Sequence, residues 1–229
     1  MSMESALAAS DFHGIDAACV SEHERRNALH LLVGMMELAR QSWPPATARP
    51  APPAASSTAI ANVIARVIAR VSEPLVRALL VGKIVTAMDR GVRLDISDGS
   101  SLPGRCARPG ELVTILGNLI DNAVDALLEH PRAEPWVEVE VRGRGAVTEL
   151  RVTDNGPGVP PGDRQWIFAS GSSTKRPTDG RHRGLGLAIV RRIVRYRGGT
   201  VSVTGIQGGG AVFTVRLPAD PPGSLRRAQ

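Results

Sequence analysis

The chain of 229 residues is predicted to be α+β, an antiparallel helical hairpin followed by an α/β sandwich. Three observations point there. Residues 15–42 and 60–71 each carry apolar residues at the helical period, on either side of a Pro/Ala-rich break. From Pro74 onward, helical segments alternate with short strand-like runs, the order expected of one largely antiparallel sheet with helices packed on one face. The composition, 42% hydrophobic and 22% charged, is that of a globular protein with an ordinary core.

In the first segment, Leu29, Leu32 and Met36 follow the helical period on one side, and Leu31, Met35 and Leu38 follow it on another. Two apolar stripes on one helix require more than one neighbour. The joint, Pro44 to Ser57, cannot be helical throughout. Beyond it, Ile60, Val63, Ile64, Val67, Ile68 and Val71 mark a second helix. This ends at Ser72-Glu73-Pro74, where the proline suits the first turn of the next helix. A two-helix hairpin is too thin to bury both stripes, which predicts a homodimer with a four-helix bundle. The expected organisation is an N-terminal extension at 1–14, the hairpin at 15–72 with its connection at 44–57, the sandwich at 73–217 and a disordered tail at 218–229.

Within the sandwich, Pro74 to Asp89 is helical and stops at Arg90-Gly91. Val92 to Ile96 alternates as a strand, Glu111 to Leu128 is a strong helix, and Trp136 to Val141 alternates almost perfectly. Val147 to Val152 is a strand leading into the loop Asp154-Asn155-Gly156-Pro157-Gly158. A helix from Leu185 to Arg197 follows a polar stretch, and Thr200–Thr204 and Ala211–Leu217 pair across the turn Gln207–Gly210.

Composition removes several classes of function. Cys19 and Cys106 are the only cysteines, so there is neither a disulfide framework nor a Cys-rich zinc site, and a reducing compartment is expected. No apolar run approaches the roughly 18 to 20 residues of a membrane helix. The start, MSMESALAASDF, lacks the basic and apolar regions of a signal peptide. A cytoplasmic chain without membrane contact is the expectation, and it is equally that of the cytosolic part of a membrane-bound protein. The net charge of +6 comes almost wholly from arginine, since Lys83 and Lys175 are the only lysines. With 3% aromatic residues there is no stacking platform for single strands, and no nucleic-acid partner is expected.

Three local patterns carry chemistry. In ELVTILGNLIDNAVDALLEH, Asn118, Asp121, Asn122 and Asp125 share one helix face, and their oxygens suit a hard cation such as Mg²⁺. On its own such a face is equally an ordinary solvated one. In VTDNGPGVP, Asp154 ends a strand and Gly156 and Gly158 follow, which in isolation is a common turn. In GRHRGLGLAIV, Gly184, Leu185 and Gly186 open a helix, where glycines let backbone N–H groups approach a phosphate.

The order of these patterns is more specific than any one of them. NLIDNA, then DNGPG, then GLGLAIV resembles the N, G1 and G2 boxes of the GHKL (Bergerat) ATP-binding fold, the superfamily of histidine kinases, gyrase B, Hsp90 and MutL. Trp166-Ile167-Phe168 and Ser172 to Lys175 are similar to the F box and the start of the ATP lid. The resemblance spans about Pro74 to Leu217 and implies ATP and Mg²⁺ as ligands. Asp154 would accept from the adenine amino group, Asn122 would hold Mg²⁺ and Asn118 would lie on the phosphate side. Gly156 and Gly158 would flank the adenine, Gly184 and Gly186 would approach the phosphates, and Lys175 and Leu185 would be among the nucleotide-binding residues. Members that hydrolyse ATP usually carry Glu where this chain has Asn118, and an amide cannot act as a base, which favours the histidine kinases.

Upstream, His23-Glu24-Arg25-Arg26-Asn27-Ala28-Leu29-His30 fits HExxNxLH and resembles the phosphoacceptor helix of the citrate/C4-dicarboxylate (CitA/DcuS-like) sensor kinases. Pro74, Leu79, Leu80, Lys83 and Gly91-Val92 are also typical of that group. The resemblance implies that His23 is phosphorylated from ATP, that Glu24 orients or deprotonates it, that Asn27 serves a phosphatase activity, and that a response regulator is the partner. Alternatives are a degenerate ATP-binding scaffold or phosphatase of the same fold, and a nucleic-acid-binding ATP switch.

Overall fold

The computed structural model describes residues 55–103, 108–168 and 185–218. Their elements are α1 (Ala55–Arg70), α2 (Pro74–Asp89), β1 (Arg93–Ile96), α3 (Pro109–Glu129), β2 (Trp136–Arg144), β3 (Val147–Asp154), α4 (Gly186–Tyr196), β4 (Thr200–Gly205) and β5 (Ala211–Pro218). The expected first hairpin helix and its Pro/Ala-rich connection lie outside the described residues, apart from the start of α1. Pro218, expected in a disordered tail, is instead the last residue of β5 and pairs with Val147.

One five-stranded sheet runs in the order β1-β2-β3-β5-β4. β1 and β2 are parallel, because α3 carries the chain back across the sheet between them, and every other neighbour is antiparallel. Side chains alternate across the pleat. Val137, Val139 and Val141 of β2, Leu150 and Val152 of β3, and Phe213, Val215 and Leu217 of β5 are buried, while Glu138 and Arg151 between them face solvent. Helices cover the apolar face, with Leu116, Leu119, Ile120 and Ala123 of α3 at its centre.

Local signals set the helix ends. Glu73 caps α2, its carboxylate accepting from the Val76 amide at 2.7 Å, and Pro74 occupies the first turn, where its missing N–H costs nothing. Pro109 does the same at the start of α3. The end of α4 is tied to the start of α3 by Arg197, which donates to Glu111 at 2.8 Å.

The apolar stripe of α1 is buried within this same core. Val63, Ile64, Val67 and Val71 pack with residues of α2 and β1, and the hydrophobic core runs without a break across Ser72–Glu73. Two ion pairs, Arg66 with Asp95 and Arg70 with Asp98, and a bridge between Val71 and Leu102 fix α1 at the β1 edge.

Candidate functional site

The site is organised along α3. Its N-terminal half carries Asn118, which is almost fully buried although it is an amide on a helix. The Nδ2 of Asn118 donates to the Thr114 carbonyl at 2.7 Å, which fixes which end of the amide is which. Its Oδ1 then faces Gly186, the first residue of α4: a Cβ built there would lie only 2.6 Å from that oxygen. Asn118 Oδ1 is also a buried side-chain atom with no hydrogen-bond partner among the described residues. An orphaned acceptor of this kind costs about 1–3 kcal/mol and calls for an explanation. Beside it, α4 begins at Gly186 after Leu185, and by helix geometry its first N–H groups lack intrahelical acceptors. The juxtaposition of an amide oxygen, a helix N-terminus without a side-chain cap from Leu185 and a glycine with no side chain is suited to a phosphate or its counter-ion. Asn122 lies one turn further along α3 and is half-buried.

The other end of the site is Asp154. It shares strand parity with Leu150 and Val152, so its carboxylate points to the buried face at the last position of β3. The Gly156 amide donates to Asp154 Oδ1 at 2.9 Å, and Ala211 on the paired β5 supplies a second backbone hydrogen bond. Burial raises the Asp154 carboxyl above the ordinary carboxylate range, and the two backbone N–H groups only partly oppose this. A Cβ at Gly156 would touch Leu127 and Ala126, which sets this loop against the C-terminal half of α3. From Asn118 to Ala126, eight helical steps span about 12 Å, so the two glycine-bearing motifs flank one helix at a spacing that a nucleotide can bridge.

Behind the loop, Gly158 lies against the Gly210 carbonyl and Gly210 lies against the Asp154 main-chain carbonyl, so the β4–β5 turn packs on the backbone of the Asp154–Gly158 loop. Arg132 donates to the Gly156 carbonyl at 2.9 Å. Asn155 is a structural tie rather than a ligand: its Oδ1 accepts from the Trp136 amide and its Nδ2 donates to the Glu134 carbonyl, both at 2.8 Å. Phe168 packs edge-on against Phe213 with ring centroids 6.2 Å apart, whereas Trp166 two residues earlier is exposed.

The four-residue polar face on α3 needs a correction. Asp121 and Asp125 do not join Asn118 and Asn122 as a cation-binding set. Lys83 Nζ donates to Asp121 at 2.7 Å and Arg90 to Asp125 at 3.0 Å, so α2 and the residue that caps it take up both carboxylates. Among the described residues no three His, Cys, Asp or Glu side chains gather where they could hold a metal. The structure thus brings together Asn118 with Leu185 and Gly186, and Asp154 with Gly156 and Gly158. His23, Glu24, Asn27, Lys175 and Gly184 lie outside the described residues. The sequence marks Lys83 only through the family resemblance and does not mark Arg132. A lone lysine inside the apolar run LLVGKIV was a further signal available for the first, and Arg132 had none.

The buried carboxylate allows one expectation about stability. Because the Asp154 carboxyl titrates above its unfolded value, its charge opposes folding. The contribution of this group is most favourable below the unfolded pKa and is lost as pH rises through the folded one. Asp154→Asn keeps one acceptor oxygen for the backbone N–H groups and removes the buried charge. Its unfolding midpoint at neutral pH is expected to equal or exceed that of the wild type, while ATP affinity falls by about 1–3 kcal/mol. Parallel denaturation and calorimetric titration check both halves, and unchanged ATP affinity would remove Asp154 from the adenine.

Residues 107–221 match the family described as histidine kinase-, DNA gyrase B- and HSP90-like ATPase. The sensor protein CitS of Halalkalibacterium halodurans is 39% identical over 150 residues, 65% of this chain and 27% of that protein. The sensor histidine kinase DcuS of Escherichia coli K12 is 36% identical over 158 residues, 68% of this chain and 28% of that one. The chain therefore spans little more than a quarter of the length of these curated relatives. Among solved structures, the mycobacterial sensor histidine kinase MprB aligns with a TM-score of 0.44 at 26% identity, covering 61% of this chain and 95% of that one. No helix among the described residues is long and apolar enough to cross a membrane. The resemblance carried by NLIDNA, DNGPG and GLGLAIV holds: the chain belongs to the histidine kinase-, DNA gyrase B- and HSP90-like ATPase family.

Proposed function

We propose that this chain is the transmitter portion of a two-component sensor histidine kinase: it uses Mg·ATP to phosphorylate His23 and passes the phosphoryl group to an aspartate of a response regulator. The observation that carries the nucleotide reading is the orphaned Asn118 Oδ1 buried against Gly186, since a phosphate-bound cation or a water on it would complete that acceptor. The residues present fit the ligand. Asp154 would accept from the adenine amino group, Asn118 and the start of α4 would face the phosphates, and Asn122 is the assigned Mg²⁺ ligand. Bound Mg²⁺ would neutralise charge on the phosphates.

The kinase reading rests on HExxNxLH upstream of this site and on similarity to CitS and DcuS, which extends over more of the chain than residues 107–221. An imidazole at His23 is nucleophilic at neutral pH, Glu24 beside it can orient or deprotonate the ring, and positioning supplies most of the rate. In this reading two copies of the segment before α1 make the dimer's helical bundle, while α1, whose apolar stripe is buried against α2 and β1, belongs to the nucleotide-binding core and not to a hairpin reaching residue 72. The reaction takes place in the cytoplasm. Incubation with γ-labelled ATP and Mg²⁺ tests it: acid-labile, base-stable label on the protein is expected, and its absence at saturating nucleotide would leave an ATP-binding scaffold.

Asn27 separates two activities of one helix. Its amide is no base, but one turn from His23 it can hold a water against a phosphoaspartate on a docked regulator. Asn27→Ala is expected to keep most autophosphorylation and to lose on the order of 10² in dephosphorylation rate. Paired assays with a purified regulator check this, and equal loss of both activities would make Asn27 a packing residue.

A further inference from the structure

A lysine with 2% of its side chain exposed is unusual enough to need a reason, and Lys83 is among the largest fully buried side chains of the described residues. It sits in α2 between apolar residues and reaches across to α3, where its Nζ is 2.7 Å from Asp121 Oδ1. Asp121 is the residue immediately before Asn122 and three after Asn118, and its side chain is 15% exposed. A second pair joins α3 to the residue that caps α2: Arg90 and Asp125 are 3.0 Å apart, but their side chains are 47% and 30% exposed. Water and salt screen that outer pair, whereas the inner one is sheltered.

We infer that Lys83 is a positioning residue for the nucleotide site: it holds and neutralises Asp121, so that the α3 segment bearing Asn118 and Asn122 presents amides without a bare carboxylate to a polyanionic ligand. The inference rests on the ATP reading above. A triphosphate is strongly negative, and an unscreened carboxylate on the same helix segment would repel it. Replacing Lys83 by a neutral side chain leaves that carboxylate uncompensated. Removing both charges leaves no repulsion. Hence the pair matters to the ligand through the balance of its charges, in addition to anything it does for packing.

The test uses the full chain and calorimetric titration with two probes, the ATP analogue AMPPNP with Mg²⁺ and uncharged adenosine. Wild-type protein that binds neither probe overturns the nucleotide reading itself. Given wild-type binding, Lys83→Met is expected to weaken AMPPNP by on the order of tenfold and to leave adenosine within about twofold, because only the phosphates meet the stranded carboxylate. The double variant Lys83→Met/Asp121→Asn is expected to recover most of the AMPPNP affinity, a coupling that packing alone does not produce. Arg90→Ala, at the screened pair, is expected to change neither probe by more than about twofold. Should Lys83→Met not fold, Asp121→Asn carries the test: lowered stability with AMPPNP affinity retained or improved. Equal weakening of both probes in Lys83→Met without rescue, or loss of AMPPNP affinity in Asp121→Asn, would overturn the proposal.

Discussion

Replacing His23 by glutamine is expected to abolish labelling from γ-labelled ATP while nucleotide affinity stays within about twofold of the wild type. Glutamine keeps much of the size and polarity of histidine but offers no nucleophilic nitrogen, so a phosphoramidate cannot form. Affinity is expected to survive because the groups proposed to hold the nucleotide, Asn118, Asn122, Asp154 and the start of α4, all lie in the sandwich and do not include His23. The two readouts are independent, one by acid-labile label and one by titration calorimetry. Label persisting at the wild-type level would move the acceptor elsewhere, with His30 the first residue to change next.

The second large effect is on folding. Gly210 has φ of +121°, and a Cβ there would lie 2.1 Å from the Asp154 carbonyl oxygen and 3.1 Å from the Asn155 Cα. Both obstacles are backbone, so neither can swing aside. To admit Gly210→Ala, β5 must separate from β3 or the Asp154–Gly158 loop must shift. The expected cost is on the order of 3 kcal/mol or more, a fall in Tm of about 10 °C for a domain of this size. Gly208 supplies the comparison, since its φ is +88° but nothing lies within 4 Å of its added Cβ. Gly208→Ala carries backbone strain alone and is expected to cost about 1–2 kcal/mol. Thermal denaturation of the two variants separates collision from strain, and equal losses would mean that the turn relaxes freely.

Much of the fold was legible in the sequence because its signals are local. The α2 start was marked by Glu73-Pro74, and α3 by an apolar stripe interrupted by asparagines. β2 was less so. WVEVEV alternates only to Val141, yet the strand runs to Arg144 because Arg142, Gly143 and Arg144 pair with β3 regardless of their side chains. The parallel pairing of β1 with β2 was not readable either, since it depends on where α3 returns the chain. Periodicity in α1 announced a buried face, but the cover expected for it, a hairpin partner in a dimeric bundle, is instead α2 and β1, because the stripe continues into the same apolar core. At the site, Asn118 and Gly186 lie 68 positions apart in sequence, and their contact came from the order of motifs rather than from either motif. The polar face of α3 misled for a physical reason. Spacing places Asp121 and Asp125 beside the asparagines, but the cations that claim them come from α2 and the residue that caps it, out of reach of any pattern confined to one helix.

The attachment of α1 also has a mechanical meaning. A domain joined by a slack tether is deaf to torsion in the chain before it, because the tether absorbs the turn. Here the last three turns of α1 are gripped on one side by Ile64, Val67 and Val71 inside the core and on another by Arg66 and Arg70 at the β1 edge. Rolling the helix by a quarter turn would expose those three side chains, at about 1.5–3 kcal/mol each. The joint is therefore keyed rather than hinged: α1, the β1 edge and, through the β1–β2 ladder, the sheet that carries Asp154 form one packed unit.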